Sequence, residues 1–110
     1  MWGQLRITRL RITNYLMLSQ VYYLLRSKAD GRYLVARPNQ DNASGYLLLF
    51  REDFEARSYL STHGVGVAEQ FAVESLPSTQ LQGLLTRWGL TGIGIVQDPL
   101  LPTIEFLSQN

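Results

Sequence analysis

The chain has 110 residues, 45% of them hydrophobic, a formal net charge of +1 and no cysteine. That length supports one hydrophobic core and not two, and the apolar content lies in the globular range. Without cysteine there are no disulfides, no thiolate catalysis and no Cys-based zinc or iron–sulfur sites, and the longest apolar runs fall far short of the roughly 20 residues that span a bilayer. The first residues lack the long apolar core of a secretory signal, so a cytoplasmic protein is expected.

The chain opens with a tandem echo, Leu5-Arg-Ile-Thr8 and Leu10-Arg-Ile-Thr13, with Arg9 between the copies. Each copy alternates apolar and polar as a half-buried strand does. The five-residue offset sets the copies out of phase, so one continuous strand needs a bulge at Arg9. Residues 1–16 are therefore expected to be an N-terminal extension or an added edge strand, and residues 17–110 the single domain. Val21 to Leu25 and Tyr33 to Ala36 are β-rich runs around Asp30-Gly31, a strong hairpin signal. Pro38 to Gly45 is a loop by composition. Tyr46 to Phe50 is a third strand, apolar throughout and so expected to be buried on both faces.

The spacing predicts a helix over 51–63. Ala56, Tyr59, Leu60 and His63 share one face, Glu52 and Asp53 suit the positive end of the dipole, and Gly64 fits the C′ position. Arg51–Glu55 and Asp53–Arg57 are candidate i,i+4 ion pairs. Phe71 to Ser75 is a fourth strand. Pro77-Ser78 then leads a second helix with Leu81, Leu84, Leu85 and Trp88 on one face, an interior Gly83, and Gly89 as its close. Two last strands flank an Asp98-Pro99 turn, Gly92 to Val96 and Thr103 to Leu107. The order β-β-β-α-β-α-β-β predicts an α+β fold, an antiparallel-rich sheet with two helices packed on one face. The expected core is Leu24, Leu34, Leu48, Phe50, Leu60, Val73, Leu81, Leu85, Trp88, Ile95 and Phe106.

Tyr22 to Leu25, Gly45 to Phe50 running into a helix with Glu52, Ala56 and Leu60, Gly92 to Pro99, and Ile104 to Leu107 together resemble the N-terminal domain of the SseB family over about residues 20–108. The chain departs from the family pattern at Arg51, where an N-capping Thr or Ser is usual, and at Asp98, where the family has Asn before the proline. The resemblance implies a small regulatory or interaction module and brings no catalytic residues with it.

His63, the sole histidine, is the one side chain whose ordinary pKa lies near neutrality. A small enzyme would use it as general base with Ser61 or a distant hydroxyl, oriented by Asp53 or Glu55. A helix C-terminal histidine stabilised by the dipole is the simpler account. Glu52, Asp53 and Glu55 form the one acidic cluster and also suit a helix start. No Asp-x-Asp loop or other metal-ligand spacing occurs, and Gly64-Val-Gly66 and Gly92-Ile-Gly94 lack the rest of a phosphate loop. No catalytic residue, metal or cofactor is expected.

Charge is unevenly spread. Residues 1–51 hold eight basic side chains against Asp30 and Asp41, whereas residues 52–110 hold Arg57 and Arg87 against seven acids. Such a polarised chain suits an acidic protein partner, a larger assembly or self-association as a homodimer. The expected partner-binding residues are Arg6, Arg9, Arg11, Arg26 and Arg32, with the first strand adding to a sheet edge. The same arginines interleaved with Tyr15, Tyr22, Tyr23 and Tyr33 give the competing nucleic-acid reading, which the near-zero net charge and the absence of an RNA-binding signature disfavour.

Overall fold

The computed structural model describes residues 4–8, 20–38 and 45–108. In chain order they form β1 (Gln4–Thr8), β2 (Val21–Ser27), β3 (Val35–Ala36), β4 (Tyr46–Leu49), α1 (Asp53–His63), β5 (Phe71–Pro77), α2 (Leu81–Trp88), β6 (Gly92–Asp98) and β7 (Thr103–Ser108). Single 3-10 turns at Ala68–Gln70 and Ser78–Gln80 precede β5 and α2. The class is α+β, and from β2 onward the order is the predicted one.

Five strands make a mixed sheet in the order β1-β7-β6-β4-β3, and β2 pairs with β5 in a separate antiparallel ribbon. β1 runs parallel to β7 and β4 parallel to β6, while β3–β4 and β6–β7 are antiparallel. β1 takes the outer position, with Gln4 opposite Thr103. Tyr23 and Phe50 exchange backbone hydrogen bonds of 2.9 and 2.8 Å, and the Leu34 amide donates to Leu25 at 2.9 Å. Those bonds stitch the ribbon to the large sheet.

β4 is buried along its whole length, and its alternation divides the core in two. Leu47 and Leu49 join Ile93, Ile95 and Leu107 beneath Leu81, Leu84 and Leu85 of α2, with Tyr22, Leu24 and Leu76 from the ribbon. Leu48 and Phe50 point the other way, joining Val96, Ile104 and Phe106 beneath Ala56 and Leu60 of α1. The helices thus cover opposite faces of the sheet and do not share one. The reason lies in β4 itself: a strand apolar on both sides needs cover on both sides.

The α2 stripe stops short of its predicted length. Leu81, Leu84 and Leu85 are buried, but Trp88, expected in the core, is 42% exposed. Gly89 follows at φ 64°, and in this left-handed conformation its N–H reaches back to the carbonyls of Leu85 and Thr86. The helix therefore ends where Trp88 would need another turn of cover. Leu34 and Val73, also expected in the core, are half-buried and pack against the edge of the cluster beneath α1.

α1 begins two residues later than predicted. Glu52 is its extended N-cap without a side-chain cap bond, and Gly64 ends it at φ −112°, outside the left-handed region. Gly83, inside α2, has nothing within 4 Å of the position a Cβ would take. Gly83→Ala is accordingly expected to stabilise the protein by about 0.5–1 kcal/mol, through helix propensity and a less flexible unfolded chain. A thermal midpoint that stays level or falls would contradict that account.

Candidate functional site

The turn between β2 and β3 is built by its own side chains. Ser27 Oγ accepts from the Ala29 amide at 3.2 Å, and Asp30 Oδ1 accepts from the Arg32 amide at 3.0 Å. The second bond, charge-assisted, holds the Asp30 carboxyl below its ordinary pKa. Arg26 then locks the turn from beneath. Its Nε donates to the Gly31 carbonyl at 2.9 Å, its Nη1 lies 3.7 Å from Glu74, and its guanidinium sits 5.0 Å from the centre of the Tyr33 ring.

Tyr33 carries the arrangement across to α2. Its ring meets Trp88 edge-on, with centroids 5.3 Å apart and planes at 81°. The geometry is the favoured one for aromatic pairs and leaves part of the indole uncovered. Arg32, Tyr33, Val35, Arg37, Trp88 and Leu90 together line an open groove of about 400 Å³. A second groove of about 440 Å³ shares Tyr33 and runs past Glu74, Gly83 and Arg87 along α2. Arg32, Arg37 and Arg87 are all exposed. The result is a surface recess with an aromatic and aliphatic floor and an arginine-bearing rim, on which Arg32 Nε lies 3.8 Å from Asp30 Oδ2.

Of the five arginines predicted to bind a partner, the structure brings only Arg32 to this rim. Arg26 lies beneath it, engaged by Gly31, Glu74 and Tyr33, and acts as a strut of the hairpin. Arg9 and Arg11 lie outside the described residues, as does the side chain of Arg6, which stands opposite Glu105 in the β1–β7 register. Tyr15 and the second Leu-Arg-Ile-Thr copy also lie outside them. Sequence reasoning missed Arg37, Arg87, Tyr33 and Trp88 as a group. The available signal was a tryptophan directly before a helix-ending glycine, where an apolar stripe loses its cover.

The alternative centre around His63 is organised differently. Nε2 of His63 donates to the Pro99 carbonyl at 2.9 Å, and the ring rests on Tyr59 with centroids 4.8 Å apart. This ties the end of α1 to the β6–β7 turn. Ser61 Oγ donates to the Arg57 carbonyl at 3.1 Å, and Asp53 accepts from Arg57 Nε at 2.6 Å, so both are committed within the helix. Glu55 Oε1 is buried with no hydrogen-bond partner among the described residues. The predicted Arg51–Glu55 pair gives way to a 3.4 Å bond from Arg51 to the Gln97 carbonyl. Burial raises the Tyr59 phenol above its ordinary pKa and favours the neutral ring. Among the described residues, no group of three or more His, Asp or Glu is placed to hold a metal ion, and no helix is long and apolar enough to cross a membrane.

The two glycine pairs also resolve into structure. Gly66 lies in the turn after α1, whereas Gly92 and Gly94 lie within β6 against β7. No family model, curated protein or solved structure matches the chain.

Proposed function

We propose that the protein is a non-catalytic interaction module, a regulatory or accessory subunit of the cytoplasm, as the SseB-like pattern of residues 20–108 implies. Its partner surface is the groove around Trp88, and the partner is an acidic segment of a protein. One observation carries this reading: a large aromatic side chain is left 42% exposed in a recess rimmed by Arg32 and Arg37. Tryptophan and arginine are the residue types that dominate binding energy at interfaces, and surface charge of one sign selects a partner of the other. The engagement of His63 and Ser61 with backbone carbonyls supports the non-catalytic reading.

A fluorescein-labelled peptide with alternating Glu and Leu tests the groove. Arg32→Glu with Arg37→Glu is expected to weaken its binding at least tenfold, and raising the salt from 50 to about 500 mM to weaken the unmutated protein similarly. Both arginines are exposed, so the fold should tolerate the changes, which circular dichroism would verify. Equal affinity before and after substitution would discard the groove. Preference for a single-stranded oligoribonucleotide over the peptide would instead favour the nucleic-acid alternative, with Tyr33 and Trp88 as stacking platforms.

A further inference from the structure

β2 is hydrogen-bonded along both sides, to β5 on one and to Phe50, Leu34 and Arg32 on the other. β5 is bonded along one side only. The Lys28 amide donates to the Gln70 carbonyl at 2.8 Å and the Ser78 amide to the Gln20 carbonyl at 2.7 Å. The even-numbered residues of β5 therefore face β2, and the odd-numbered ones turn their amides and carbonyls outward. Phe71 commits its amide to the Ala68 carbonyl, and Pro77 has none to offer. The amides and carbonyls of Val73 and Ser75, with the Phe71 carbonyl, have no bonding partner among the described residues. Edge strands are ordinarily guarded by Lys, Pro, a bulge or shortness. β3, at the edge of the large sheet, is two residues long. β5 instead keeps an unbroken seven-residue register with β2, and residues 71–76 contain no Lys, Arg or Pro. Ser75 is exposed, while Phe71 and Val73 are half-buried against the cluster beneath α1.

We infer that the outer edge of β5 pairs antiparallel with the same edge of a second copy, about a two-fold axis at Val73. The row of outward groups matches itself in that register. Each Val73 amide meets the second copy's Val73 carbonyl, and each Ser75 amide meets the second copy's Phe71 carbonyl, so every outward donor finds an acceptor. The side chains agree. On the α1 side Val73 faces Val73 and Phe71 faces Ser75, which carries the apolar floor across the axis. On the other side Glu74 faces Ala72 and keeps its own Arg26 at 3.7 Å. Moving the axis to Glu74 would set two carboxylates directly opposite, which is destabilising. Moving it toward either end would run the pairing into the 3-10 turns at Ala68–Gln70 and Ser78–Gln80. One register of this strand with itself remains, and that self-match selects a second copy as the occupant. The same patch serves both copies, so the assembly closes at a dimer, and it uses no residue that lines the Trp88 groove.

Sedimentation equilibrium and single-cysteine crosslinking of the whole chain test this. The unmutated protein is expected to pass from monomer to dimer with rising concentration and to stop there. Ser75→Pro removes the outward Ser75 donor from both copies, at a position where an edge strand tolerates proline, and should weaken the dimer at least about tenfold. Circular dichroism checks that this variant folds. Because the chain has no cysteine, Val73→Cys introduces a single thiol, which the axis sets against its own copy. The Cα separation there is roughly 5.5 Å, within disulfide reach, so oxidation should yield a covalent dimer. Ser75→Cys, whose two copies stand roughly 13 Å apart along the paired strands, should stay unlinked. A dimer that Ser75→Pro leaves unchanged, or equal crosslinking of the two cysteine variants, would overturn the inference and place the contact elsewhere, the β1 edge being the alternative. A chain that stays monomeric would also overturn it, and its binding of an extended Thr-Val peptide, lost in Ser75→Pro, would assign the edge to a foreign strand.

Discussion

Gly92→Ala should cost at least about 3 kcal/mol and leave little folded protein, an effect at the extreme of single substitutions. At this position β6 approaches β7 so closely that a Cβ would collide with the Leu107 carbonyl oxygen and sit 2.9 Å from Ser108 Cα. Both obstacles are backbone, so no rotamer change relieves them, and the strand pairing from Gly92↔Ser108 onward must open. Gly94 supplies the internal control. A Cβ there would meet the ends of Phe106, Ile104 and Leu48 at 3.0, 3.1 and 3.2 Å, all side-chain atoms. Gly94→Ala is a case of overpacking, worth about 1–3 kcal/mol. Urea titration of both variants reads the difference directly. A Gly92→Ala midpoint equal to the unmutated one would mean that the strands do not approach in this way.

The second large effect is expected at Leu85→Ala, a loss of about 2–5 kcal/mol. Leu85 is fully buried in the cluster that α2 forms with Leu47, Leu49, Ile93 and Ile95. Truncation opens a hole between a helix and a sheet that each hold their shape through other contacts, so collapse into the space is incomplete. Trp88→Ala, three residues on, removes more atoms but should cost less, because much of the indole already faces water. Equilibrium unfolding of the pair ranks them. A cost below 0.5 kcal/mol at Leu85 would remove the helix register.

Much of this architecture is written in local spacing. The 3.6-residue recurrence of Leu81, Leu84 and Leu85 marks a buried face, Asp30-Gly31 marks the turn, and the apolar run of β4 marks burial on both sides. That run also implied a helix for each face of the sheet, against the expectation of both on one. What spacing cannot convey is where cover ends. Trp88 continues the Leu81 stripe in register, yet only the tertiary position of Gly89 and the hairpin decides that it meets Tyr33 and solvent. The candidate site was legible as a charge asymmetry and as Arg32, but not as a place. Arg26 shows why: its charge pointed outward on paper, while Gly31, Glu74 and Tyr33 claim it in space. Arg37 and Arg87 are fifty residues apart in sequence and reach neighbouring grooves only through Tyr33 and Trp88.

The pairing of β1 with β7 carries a consequence for the history of each molecule. Gln4 finds its place beside Thr103, so a contact between early and late segments waits for almost everything between them. During synthesis the β1 segment is made long before its neighbour, and it passes that interval without the partner that β7 provides. The β1–β7 contact is rewarded only after β6 and β7 have formed. Each newly made molecule thus passes through a stage in which a strand-forming segment is available to other chains, and docking onto β7 ends that exposure.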